Sequence, residues 1–173
     1  MISTFESERL ILRPIEITDA QDFFELDSNP EVHKYLGNKP VTSITESEKM
    51  ISAILDQYKT YGIGRLAMID KKTNEFIGWS GLKYEQNLRK NLNYYDVGYR
   101  LKQQYWGKGY ATEAALVSLN YGFKNLNLKE ICAAAEIEHI ASNTILRKIG
   151  MQFSGTFMYD GFPHNWYSKQ NPY

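Results

Sequence analysis

The chain has one cysteine, Cys132, so an internal disulfide is excluded and a reducing compartment, the cytoplasm, is the expected location. Neither sign of charge is in excess. Twenty basic residues stand against twenty acidic ones, which removes any global electrostatic case for nucleic acid or an anionic membrane as partner. No apolar run approaches the ~18–20 residues of a membrane span. The opening residues, Met-Ile-Ser-Thr-Phe-Glu-Ser-Glu, lack the basic head and apolar stretch of a secretory leader, so none is expected. His33 and His164 have no partner at metal-ligand spacing and read as surface residues, so no metal site is expected. What is present suits one soluble globule. At 173 residues, 43% apolar and 23% charged, residues 1–173 read as a single domain.

Periodicity and punctuation order the elements. Arg9 to Arg13 reads as a strand stopped by Pro14. Thr18-x-x-Gln21 and Thr45-x-x-Glu48 are capping boxes, each opening a helix. Asn29-Pro30 breaks the first helix, and 31–36 reads as a short second one. After the second box, Ile51, Ile54, Leu55 and Tyr58 form a helical stripe that ends at Gly62. Residues 66–69 and 75–84 make a hairpin around a polar turn, and 85–93 reads as a loop. A strand over 94–101 leads through a glycine turn into a helix from Ala111 to about Phe123. Because a helix joins them, the apolar strand over 128–136 is expected parallel to 94–101. A helix over 142–149 closes at Gly150, and strands near 152–159 and 165–170 meet across Asp160-Gly161. The predicted class is mixed α/β, a mostly antiparallel sheet with one parallel pair in its middle, flanked by helices.

The stretch from Tyr94 to Thr112 carries the strongest chemical signal. A strand feeding a glycine turn feeding a helix is an anion site, because the first N–H groups of a helix have no internal partner and the dipole favours negative charge there. Gly107 and Gly109 let the backbone reach positive φ and approach a pyrophosphate closely. Other phosphate motifs fit poorly. Gly107-Lys108-Gly109 lacks the hydroxyl of a Walker loop, and Thr112 stands where a Rossmann fingerprint needs a small residue. A kinase glycine loop joins two strands, whereas this one opens a helix.

The pattern Gln104-x-x-Gly107-x-Gly109 between a strand and a helix resembles the signature of the GNAT acyl-CoA N-acyltransferases. Further blocks are similar to the RimJ/RimL-type branch of that family. They are Glu8–Pro14, Phe76-Ile-Gly-Trp79, Asp96–Leu101, Tyr105–Ala114, Ala141-Ser-Asn143 and Leu146–Met151, in order over about the whole chain. The resemblance implies a splayed parallel strand pair with the arm of acetyl-CoA in the gap. It also implies transfer of an acetyl group to a primary amine, either a protein N-terminal α-amine or a small-molecule amine. Monomer and homodimer both remain open.

On that resemblance, Tyr99, Arg100 and Leu101 pair with the pantetheine arm through their backbone. The N–H groups of Gln104, Gly107, Lys108, Gly109, Tyr110, Ala111 and Thr112 cradle the pyrophosphate, with Lys108 as a point charge. Asn143 and position 139 lie at the cofactor too, although relatives carry Asn where this chain has His139. Asp96 is the first candidate for the base and Glu136 the second. Ser142 and Tyr167 are alternative donors of the thiolate proton, and Ser142 also reads as a helix cap. Glu113, in the first turn of the helix, reads as structural. Tyr94, Tyr95 and Tyr159 are candidates for an acceptor cleft. The rival from another class is a catalytically idle acyl-CoA-binding or interaction module on the same scaffold.

Overall fold

The computed structural model describes residues 2–173. Eight strands form one sheet: β1 (Phe5–Glu6), β2 (Leu10–Pro14), β3 (Arg65–Asp70), β4 (Phe76–Arg89), β5 (Leu92–Leu101), β6 (Glu130–Glu136), β7 (Gln152–Tyr159) and β8 (Phe162–Gln170). Their spatial order is β1-β2-β3-β4-β5-β6-β8-β7. Every pairing is antiparallel except β5 with β6, the pair that a helix connects. The helices are α1 (Ala20–Asp27), α2 (Pro30–His33), α3 (Ile44–Tyr61), α4 (Tyr110–Asn120) and α5 (Ile140–Lys148).

Side-chain alternation along the strands sorts the helices onto two faces. Val97, Ile131 and Ala133 pack with Ala115 and Leu119 of α4 and Leu146 of α5. On the opposite face Ala67, Ile69 and Phe76 pack with Phe23 and Leu26 of α1 and Ile51 of α3. The face of β5 under α4 and α5 therefore carries residues 95, 97, 99 and 101, and the other face carries 94, 96, 98 and 100.

Several boundaries differ from the sequence reading. Residues 85–93 are not a loop but the extended tip of the β4–β5 hairpin, where Asn91 takes the left-handed turn position at φ 61°. Pro14 ends β2 within the ladder, pairing with Leu66 instead of standing outside it. The first capping box is Glu16 with Asp19, ahead of a short 3-10 turn, and not Thr18 with Gln21. The helix expected after the Thr45 box, α3, begins after Ser43, two residues earlier than Thr45, with Glu46 Oε1 accepting from Thr42 Oγ1 at 2.7 Å. His33, expected at the surface, is buried beside Asp27.

Candidate active site

β5 and β6 meet at one residue pair, Asp96 with Cys132. On its other edge β5 is bonded to β4 as far as Leu101, and β6 is bonded to β8 along its whole length. Residues 97–101 and 133–136 thus present one open edge each, across a gap inside the sheet. An extended group with alternating donors and acceptors can complete such an edge.

The chain leaves the open end of β5 through a 3-10 turn at Gln103–Tyr105 and enters α4 at Gly109. Gly107 (φ 71°) and Gly109 (φ 84°) both hold the left-handed conformation, and a Cβ on Gly107 would meet no protein atom within 4 Å. The first bond at the start of α4 runs from Glu113 N to Gly109 O at 3.0 Å. That leaves the N–H groups of Tyr110, Ala111 and Thr112 without backbone acceptors. Lys108 has no ion-pair partner among the described residues. Arg9 stands beside the loop, its Nη1 donating to Lys108 O at 2.8 Å and its Nε to Glu113 Oε2 at 2.7 Å. Glu113 also accepts from Ser7 Oγ at 2.6 Å and Arg9 N at 2.8 Å, tying the first strands to α4. Donors, a cation and open space on one side of a helix start fit a diphosphate.

The helix-covered side of the gap holds two hydroxyls. Tyr99 Oη lies 3.1 Å from both Ser142 Oγ and Ser142 O. Burial pushes the Tyr99 hydroxyl up, against the opposing Ser142 hydrogen bond, so it stays protonated. Ser142 is not the helix cap. His139 holds that position and Ser142 lies within the first turn of α5.

The other face holds the carboxylates. Asp96 is ion-paired with Arg65, whose guanidinium lies across Gly98 and also donates to Gly81 O at 2.5 Å. A Cβ at Gly98 would stand 2.7 Å from Arg65 Nη2, so glycine is what admits the arginine. Burial pushes the Asp96 carboxyl above its ordinary value, with Arg65 opposing. Glu136 shares this face of β6 with Cys132 and Ala134. Its carboxylate has no hydrogen-bond or ion-pair partner among the described residues.

The remaining candidates are engaged within the protein. Asn143 Nδ2 donates to Glu136 O and His139 O, each at 2.9 Å. Its Oδ1 accepts from Asn165 Nδ2 and Tyr167 Oη, each at 2.8 Å. That exhausts the amide, so its side chain has nothing left for a cofactor. Tyr167 is fully buried with its proton directed to Asn143. His139 stacks on Tyr35 with ring centroids 4.6 Å apart, and burial holds its imidazole below its ordinary value. Arg100 Nη1 donates to the buried Asp27 Oδ1 at 2.6 Å, and His33 Nε2 lies 3.0 Å from the same oxygen. Arg9, Arg65 and the Tyr99 hydroxyl escaped the sequence reading. Each acts across more than thirty residues of chain, and no local pattern marks that.

The comparisons agree with this geometry. A family model described as an acetyltransferase (GNAT) domain matches residues 9–152. An uncharacterized N-acetyltransferase, p20, of Bacillus licheniformis is 35% identical over 89% of this chain and 85% of its own. Spermidine N(1)-acetyltransferase of Escherichia coli (strain K12) is 26% identical over 90% of this chain and 80% of its own. Among solved structures, an acetyltransferase (GNAT family) from Bacillus anthracis superposes with a TM-score of 0.81 at 25% identity, covering 99% of this chain and 100% of that one. A sheet opened at one parallel pair, a donor-lined glycine turn and these relatives converge: the chain belongs to the GNAT family and is an N-acetyltransferase that uses acetyl-CoA.

Proposed function

We propose that this chain transfers the acetyl group of acetyl-CoA to a primary amine, a protein N-terminal α-amine or a small-molecule amine, by direct attack. The observation that carries the reading is the single Asp96–Cys132 bridge, which leaves 97–101 open beside the donors of α4. The blocks around Glu8–Pro14 and Ala141–Asn143 support a RimJ/RimL-like branch, and a lone buried cysteine suits work in the cytoplasm. Bound acetyl-CoA supplies an activated thioester carbonyl. The open backbone of 97–101 holds its arm, and the N–H groups of 107–112 with Lys108 and Arg9 hold its phosphates.

Glu136 is the carboxylate free to take the proton of the incoming amine, since Asp96 is committed to Arg65. Asp96 and Arg65 act instead as a positioning pair beneath the gap. Ser142 Oγ, with Tyr99 Oη behind it, is the hydroxyl placed to return a proton to the departing sulfur, and Tyr167 is committed to Asn143. The test is free-thiol release from acetyl-CoA with a panel of primary amines. Glu136→Gln should lose roughly 10²–10⁴-fold in kcat/KM, the usual worth of a general base. It should recover partly at high pH, where solution supplies neutral amine. A larger loss in Asp96→Asn than in Glu136→Gln reverses this assignment.

A further inference from the structure

Aromatic rings stand beside Glu136. It is paired across the strands with His164 of β8, and His164 is paired in turn with Phe157 of β7. Residues directly opposite in antiparallel strands turn to the same face, so these side chains form a row on the face that carries Asp96 and Arg100. The His164 ring centroid lies 5.7 Å from that of Phe157 and 5.7 Å from that of Tyr159. Tyr159 is 42% exposed and Phe162 43%, so the last hairpin offers apolar surface here instead of burying it in the core. A second aromatic wall comes from the loop over residues 27–41. Val41 N donates to Asp27 O at 2.9 Å, closing the loop at its base, and Arg100 holds Asp27 to β5. From there the loop crosses the gap. Tyr35 stacks on His139, just past the end of β6, and Lys39 Nζ lies 4.0 Å from Asp160 Oδ2 in the β7–β8 turn.

We infer that the acceptor is a primary amine borne on an aromatic ring through a short alkyl spacer, with its nitrogen at Glu136 and its ring between the Tyr35–His139 stack and the rings of the last hairpin. This rests on the amine-acetylating reading above. The strand spacing sets the spacer. Opposed side chains on adjacent strands start roughly 5 Å apart and the next strand adds about 5 Å more, so a ring packed on His164 and Phe157 lies about two or three carbons from a nitrogen at Glu136. Aromatic rings pair at centroid separations of about 4.5–7 Å, the range these rings already occupy among themselves. A ring entering here also takes exposed surface of Tyr159 out of water, which favours binding. Tyr35 and Tyr159 are then specificity-determining side chains that hold the ring and not the reacting nitrogen.

Two pairs of acceptors that differ only by a ring test it: 2-phenylethylamine against ethylamine, and phenylalaninamide against alaninamide, with kcat/KM expressed per unprotonated amine. In at least one pair the ring-bearing amine should exceed its partner tenfold or more. The pair with the larger ratio tells whether the ring-bearing amine is a free small molecule or an N-terminal residue. That ratio should fall at least threefold in Tyr159→Ser, in Tyr35→Ala or in both, and a ratio does not depend on how much of the variant is folded. A wild-type ratio below tenfold in both pairs, or a fall of less than threefold in both variants, overturns the inference and leaves the acetyltransferase reading intact. No thiol release with any primary amine overturns both.

Discussion

At the residue scale the decisive variable is which polar groups are already committed. Asn143 has spent both donors and both lone pairs, Tyr167 has given its proton to it, and Asp96 has Arg65. Ser142 and Glu136 have not been committed in this way. Accordingly, Ser142→Ala should lower kcat at least tenfold while CoA affinity stays within about threefold, because the lost contact acts mainly in the transition state. Tyr99→Phe should lower kcat less, as it only supports Ser142. Tyr167→Phe should act on stability instead, leaving one bond of Asn143 unmade. Stopped-flow thiol release and calorimetric CoA binding on the three variants separate these effects. Full kcat in Ser142→Ala with a severe loss in Tyr167→Phe would exchange their roles.

At the element scale the working unit is β5, its glycine turn and α4. Gly109→Val should weaken CoA binding at least tenfold. A β-branched residue at φ 84° costs ~1–3 kcal/mol of strain, which is offset only by moving the loop off its cradle geometry. Isothermal titration with CoA, on protein shown folded by circular dichroism, checks this, and unchanged affinity places the diphosphate elsewhere. This unit was legible in the sequence because its signals are local: a strand run, two glycines and good helix formers. The parallel pairing followed from the helix between the strands. The hairpin tip at 85–93 was not legible, since its residues are polar and its pairing depends on the register of the rest of β4 and β5. The caps were misplaced because Thr42-Ser-Ile-Thr-Glu-Ser-Glu48 offers overlapping frames, and packing of the Ile51 stripe selects among them. Glu136 appeared only as a second candidate base. Asp96 lost its apparent freedom to an arginine 31 residues earlier, and sequence spacing cannot show that contact.

At the scale of the whole molecule, ion pairs join segments distant in the chain, so acid should loosen the fold. Burial pushes the Glu113 carboxyl up, but Ser7 and Arg9 more than offset it and hold it below its ordinary value. Burial likewise acts against Asp27, where the His33 hydrogen bond and the Arg100 guanidinium prevail and keep its value low. A depressed carboxyl contributes stability that is present above its unfolded value, about pH 4, and is lost as pH falls through the folded value. Urea midpoints should therefore drop between pH 5 and pH 3, and drop less in Glu113→Gln than in the wild type. Equal drops would mean that the bracket between the first strands and α4 is not formed in solution.

On the reading proposed above, the gap between β5 and β6, with the turn that follows β5, receives the arm and phosphates of acetyl-CoA. Amide hydrogen exchange with and without CoA tests it most directly, because the open edge and the cradle are made of backbone N–H groups that CoA would cover. Protection on adding CoA should concentrate in 97–101 and 107–112, with little change in β2, β3 or α3. Protection elsewhere, or unchanged exchange in both segments at saturating CoA, would contradict the account.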